Sequence, residues 1–89
     1  GDSPESIRLH TIRLGPNMRG IHQTLSFIEQ TGAVVQSLRR KENKMAATFK
    51  QITLEPNLVI LEDDILVLLG NIASLEAAEK LITKPIKTL

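Results

Sequence analysis

The 89-residue sequence has no cysteine, no tryptophan and no tyrosine, and only two phenylalanines. Without cysteine there is neither a disulfide framework nor a thiolate metal site, which suits a reducing compartment. Without aromatic side chains to spare, the usual platforms for stacking on nucleobases are missing. No charge of one sign prevails: 11 Lys and Arg stand against 10 Asp and Glu, for a net charge of +1. A bulk field that gathers polyanions is therefore lacking, and nucleic acid is not an expected partner. The longest apolar run, residues 65–69, is far shorter than the roughly 20 residues that span a bilayer. No secretory signal is visible. The chain opens Gly-Asp-Ser-Pro rather than with Met, which leads us to expect a domain of a longer protein, whose remainder is free to be membrane-bound.

What is present is aliphatic. Hydrophobic residues make up 42% of the chain, and almost all are Ile, Leu, Val or Ala, so the core is expected to be aliphatic. The length corresponds to one small domain. At this size burial is limited, and a partner subunit would help. Residues 1–6 read as a polar linker or tail, residues 7–84 as the domain, and residues 85–89 as a C-terminal tail.

Residues 7–14 are rich in β-formers, with Ile7 and Leu9 on one face and Ile12 and Leu14 on the other. That pattern predicts a strand whose exposed face changes along its length, or one with a bulge. Gly15-Pro16-Asn17 then breaks the chain. Ile21, Leu25 and Ile28 recur at helical spacing while Arg19, Gln23 and Glu29 face outward, predicting a helix over residues 18–30. Gly32 stands where a helix C-terminus favours a left-handed residue. A strand is predicted over residues 33–39, with Val34 and Leu38 on one face, followed by a charged turn over 40–44. Residues 48–54 read as another strand, 58–61 as a short extended piece, and 65–69 as a strand apolar on both faces and hence central. Asn71 is a plausible N-cap for a second helix. Its buried stripe would be Leu75, Ala78, Leu81 and Ile82, and Pro85 would stop it near Thr83. The order β-α-β-β-(β)-β-α, with short connections, predicts an α+β fold: a small mixed or antiparallel sheet covered by two helices.

The sequence "ILEDDILVLLG" (residues 60–70) places Glu62, Asp63 and Asp64 together. Three carboxylates suit a hard cation, but consecutive side chains of an extended segment point in opposite directions and rarely converge on one ion. A turn needs less, because Asp hydrogen-bonds nearby backbone and tolerates positive φ. His10 and His22 have no carboxylate at a supporting spacing and read as surface polar positions. There is no Gly-x-Ser-x-Gly elbow, no Gly-x-Gly-x-x-Gly and no Walker loop. Between Gly15 and Gly20, backbone amides entering a helix could meet an anion, although structural punctuation is the simpler use. No enzymatic activity is expected. Arg39-Arg40-Lys41, with Lys44, is the one local concentration of charge. It is either a solvated hairpin end or an anion site, since arginine makes forked hydrogen bonds to phosphate and carboxylate. In the second case the preceding valines would supply an apolar floor beside the basic rim. From the residues alone both readings stay open.

The opening "GPNMRGIHQTL" (residues 15–25), the strand "AVVQSLRR" (33–40) and above all the closing "NLVILEDDILVLLGNIASLEAAEKL" (57–81) together resemble the TrkA-C (RCK_C) domain. The likeness runs from Ile7 to Ile82 and is nearest to versions at the C-terminus of Kef-type monovalent cation:proton antiporters. One departure is Asp63, which stands where that family usually has the glycine of a Gly-Asp turn; Asp64 matches the aspartate. The resemblance implies a cytoplasmic regulatory domain, at the inner face of the plasma membrane, attached to the membrane portion of a potassium or other monovalent cation transporter. It implies a homodimer, and in some members a small ligand, including cyclic dinucleotides, bound in a groove at the dimer interface. Carried over by position, that groove would use Val34, Val35, Arg39 and Arg40, with a nucleotide or cyclic dinucleotide as the candidate ligand and no metal or resident cofactor. The alternative within the same family is a structural dimerisation domain without a ligand.

Overall fold

The computed structural model describes residues 3–86; the first two positions of the expected linker and the last three of the expected tail lie outside the described residues. The elements are β1 (Arg8–Arg13), α1 (Leu25–Glu29), β2 (Val34–Lys41), β3 (Phe49–Gln51), β4 (Ile65–Gly70) and α2 (Ile72–Thr83). The strands form one antiparallel sheet in the order β1-β4-β2-β3. This is a small α+β fold, with the uninterrupted aliphatic strand β4 in the interior of the sheet. The extended piece at 58–61 joins no strand of the sheet; it runs beside residues 22–25, with a bridge between Thr24 and Val59 and backbone bonds from Ile60 N to Gln23 O and from Leu25 N to Leu58 O.

Both helices belong to one layer. Leu25 and Ile28 of α1 and Leu75, Ala78 and Ile82 of α2 share a single core with Ile12, Val35, Leu38, Leu66 and Leu68 of the sheet. The opposite face of the sheet carries no element among the described residues. This accounts for the divided pattern of β1. Its register with β4 is unbroken from Arg8↔Gly70 to Arg13↔Ile65, so the expected bulge or change of face does not occur there. Ile12 and Leu14 lie in the core, whereas Ile7 and Leu9 stand on the open face, 67% and 61% exposed. The irregularity sits in β2 instead, between Val35 and Ser37. An extra residue there reverses the alternation. Val34 and Leu38, expected on one face, are therefore on opposite faces: Leu38 is buried and Val34 is 51% exposed.

The first helix is much shorter than its apolar spacing predicts. It begins only after Thr24, whose Oγ1 accepts a hydrogen bond from the Phe27 N–H at 3.2 Å. Residues before it follow a looped path with positive φ at Asn17 (64°) and His22 (72°). Their amides bond to other segments: Arg19 N donates to Lys84 O, Gly20 N to Ile82 O and His22 N to Ile60 O. A Cβ on Gly20 would lie 2.8 Å from Ile82 Cγ2, so the glycine permits the loop to lie directly on the end of α2. Tertiary bonding has replaced the local i→i−4 bonds that a helix would need.

The second helix follows its predicted limits. Asn71 Oδ1 accepts from Ser74 N at 2.8 Å, which supplies a partner for one free amide of the first turn. Leu75, Ala78 and Ile82 form its buried stripe, with Leu81 partly buried beside them. Helical geometry ends at Thr83, two residues before Pro85.

Candidate ligand-binding site

The 61–64 turn leads directly into β4, and side chains tie it to β2. Asp64 is fully buried, at 0% exposure. Its Oδ2 accepts from Leu61 N at 2.8 Å, closing the turn on itself. The Arg40 guanidinium approaches as a fork, with Nε donating to Oδ1 at 2.9 Å and Nη2 to Oδ2 at 2.8 Å. Arg40 Nη2 also donates to the carbonyl of Val59 at 2.9 Å. Parallel charge-assisted bonds of this kind are about twice as strong as neutral ones. The Arg40 pKa is raised above its usual value by the hydrogen bonds to Asp64, opposed by part burial and aided by the charge of Asp64. Among the described residues no buried side-chain donor or acceptor lacks a partner.

The neighbouring acids do different things. Asp63 has φ of 71°, the left-handed conformation its place in the turn requires. Its carboxylate lies 3.6 Å from Arg13 Nη2 and 3.7 Å from Lys41 Nζ. Glu62 is exposed. Among the described residues no three His, Cys, Asp or Glu side chains are arranged to hold a metal ion. His10, at the surface, bonds through Nε2 to Glu79 Oε1 at 2.7 Å, the imidazole N–H donating, and so ties β1 to α2.

Strand alternation and the bulge divide the four candidate residues. Val34 and Arg39 are exposed and pair with Leu69 and Ile65, which puts both on the open face. Val35 is in the core, and its N–H donates to Glu29 Oε2 at 3.0 Å. Arg40 turns toward the helix side and is occupied by Asp64. Within one chain these residues do not line one groove. A cleft of about 290 Å³ does lie next to them, between the 42–48 loop and the 61–64 turn. Arg40, Lys41, Asn43, Lys44, Leu61, Glu62 and Asp63 line it. Of these, Lys44 belongs to the charge concentration legible in the sequence; no sequence signal points to Asn43 or Leu61, and Arg40 is paired rather than a free cation.

Lys44 is exposed on the loop, and the Asn43 side chain accepts from Met45 N at 3.0 Å, which shapes the loop around the cleft. Arg40 is held by Asp64, Lys41 is shared with Asp63 and Glu62 also lines the cleft, so its charges nearly cancel, and Lys44 is its one cation without an acidic partner among the described residues. No protein-family model matches this chain, and no curated protein matches it either. Among the described residues no helix is long and apolar enough to cross a membrane.

Proposed function

We propose that this chain is a dimerising, ligand-sensing regulatory domain of the TrkA-C kind, acting at the cytoplasmic face of the membrane. It would modulate a potassium or other monovalent cation transporter, or a cation:proton antiporter, in response to a small anionic ligand. The observation that carries this reading is the clasp between Arg40 and Asp64 beside the cleft. A ligand seated against Lys44 and Arg40 touches, through one guanidinium, both the end of β2 and the turn that leads into the central strand. Cleft occupancy is thereby coupled to the sheet, and in a dimer to the relative placement of two sheets. Such a ligand biases transport only to the extent that it binds one dimer geometry better than the other.

Calorimetric titration with nucleotides and cyclic dinucleotides tests the reading. One of these is expected to bind, and Lys44→Ala to weaken it at least about tenfold, or ~1.4 kcal/mol, with an unchanged circular dichroism spectrum. Arg39→Ala tests whether the groove extends across the open face. Arg40→Ala is a poor probe, because it also strands a buried carboxylate. One observation favours the second reading, a structural dimerisation domain without ligand: the Arg40 donors already have protein partners in Asp64 and Val59. A folded dimer that binds none of these ligands supports that second reading.

A further inference from the structure

Strand β1 is an edge of the sheet, and among the described residues no strand lies on its outer side. Leu14 N donates to Asp64 O, toward the β4 side. In an antiparallel ladder inward and outward backbone groups alternate, so Ile12, His10 and Arg8 face β4. Ile7, Leu9, Thr11 and Arg13 then turn their N–H and C=O groups to the open edge. Edges of this kind are normally blunted by proline, a bulge, brevity or charged side chains; in β1 the arginines, Arg8 and Arg13, stand only at its two ends. The opposite edge, β3, is three residues long, whereas β1 has six, with regular register and neither Pro nor Gly. The outward face of this edge is apolar at Ile7 and Leu9, and the row continues inward through Leu69 to Val34.

We infer that β1 is the dimerisation element, pairing antiparallel with β1 of a second copy about a twofold axis through Leu9. This rests on the dimeric reading above. A twofold ladder requires facing residues to turn their backbone groups the same way, so the axis passes through a residue. Through Leu9 it sets Leu9 against Leu9 of the partner subunit, and Ile7 against Thr11 of the partner subunit. Each of these pairs exchanges both of its N–H···O bonds. Glu5, exposed just ahead of the strand, comes to the end occupied by Arg13 of the partner subunit. An axis through Arg8 would oppose like charges, and one through His10 would set Ile7 against arginine; cross-strand pairs of either kind are unfavourable. The Leu9 axis joins the two apolar rows into one, and its self-matching pattern points to a second copy rather than a foreign strand.

Because the chain has no cysteine, a single introduced thiol reports the register. Facing residues that exchange hydrogen bonds have Cα atoms about 5.5 Å apart, within the roughly 4.4–6.8 Å that a disulfide spans. In this ladder the two copies of position 11 lie more than roughly 10 Å apart. Under mild oxidation Leu9→Cys is expected to cross-link roughly a hundredfold faster than Thr11→Cys. That is the ratio of a millimolar effective concentration to protein at about 10 µM. Leu9→Arg is expected to sediment as a folded monomer. Equal cross-linking rates would overturn the register. A wild-type dimer in which Leu9→Cys fails to cross-link overturns the β1 interface while leaving the dimeric reading standing. A wild-type monomer that also fails to cross-link overturns both.

Discussion

At the residue scale the molecule turns on Asp64 and Arg40. A carboxylate with no exposed surface is sustained only by matched donors, and removing one partner of a buried pair typically costs about 3–5 kcal/mol. Urea unfolding of Arg40→Ala should show a loss of that order, whereas Arg39→Ala, exposed on the open face, should stay within about 0.5 kcal/mol of wild type. The pH dependence of the pair has a definite sign. The folded pKa of Arg40 lies above its unfolded value, so its contribution is full below the unfolded value and is lost only as pH rises through the folded one. That lies beyond the ordinary alkaline range. Arg40→Lys keeps a charge but loses the fork, and its ammonium titrates near about 10.4 when unperturbed. Its stability in urea should decline toward alkaline pH where wild type does not. Asp63, at φ 71°, should accept glycine, while Asp63→Val should cost roughly 1–2 kcal/mol, the left-handed penalty for a residue with a bulky Cβ. The turn itself was legible in the sequence, since Asp-Asp before an aliphatic run suggests local backbone bonding and positive φ. The clasp was not: Arg40 and Asp64 are 24 residues apart, and no local period joins a strand end to a turn.

At the element scale, legibility follows where the hydrogen bonds go. Helix α2 satisfies its own backbone, so its cap, stripe and stop could be read in order from Asn71, Leu75, Ala78, Ile82 and Pro85. Strand β4 could be read because it lies in the middle of the sheet and has no polar face to confuse it. The segment before α1 could not. Ile21, Leu25 and Ile28 have helical spacing, yet the amides of Arg19, Gly20 and His22 bond to distant carbonyls. Two substitutions separate these cases by thermal unfolding. Asn71→Ala removes a cap and should cost about 1 kcal/mol. Gly20→Ala must push back both the side chain and the backbone of Ile82, with Cα at 3.2 Å, and should cost roughly 1–3 kcal/mol as other overpacking changes do. In a simple helix the same Gly→Ala change would instead be stabilising. A rise in melting temperature for Gly20→Ala would therefore contradict the looped path.

At the scale of the whole molecule, one layer of helices covers one face of the sheet and leaves the other to solvent. Ile7, Leu9 and Val34 remain more than half exposed as a result. A domain of about this size buries only about 60–70% of its unfolded surface, and a core without large aromatic side chains has little in reserve. If the proposed dimer forms, part of the stability of each chain comes from association, and unfolding must then depend on concentration. Raising the concentration a hundredfold adds about 2.7 kcal/mol per dimer, or about 1.4 per chain. For a domain of this length 1 kcal/mol moves the midpoint by roughly 4–8 °C, so the melting temperature should rise by about 5–10 °C between about 1 and 100 µM. Leu9→Arg should melt at one temperature across that range, near the low-concentration value of wild type, since its side chain lies outside the core. Scanning calorimetry at the two concentrations checks both. A concentration-independent wild type would mean that the open face and the β1 edge are tolerated by a monomer, and the regulatory coupling would have to act within a single chain.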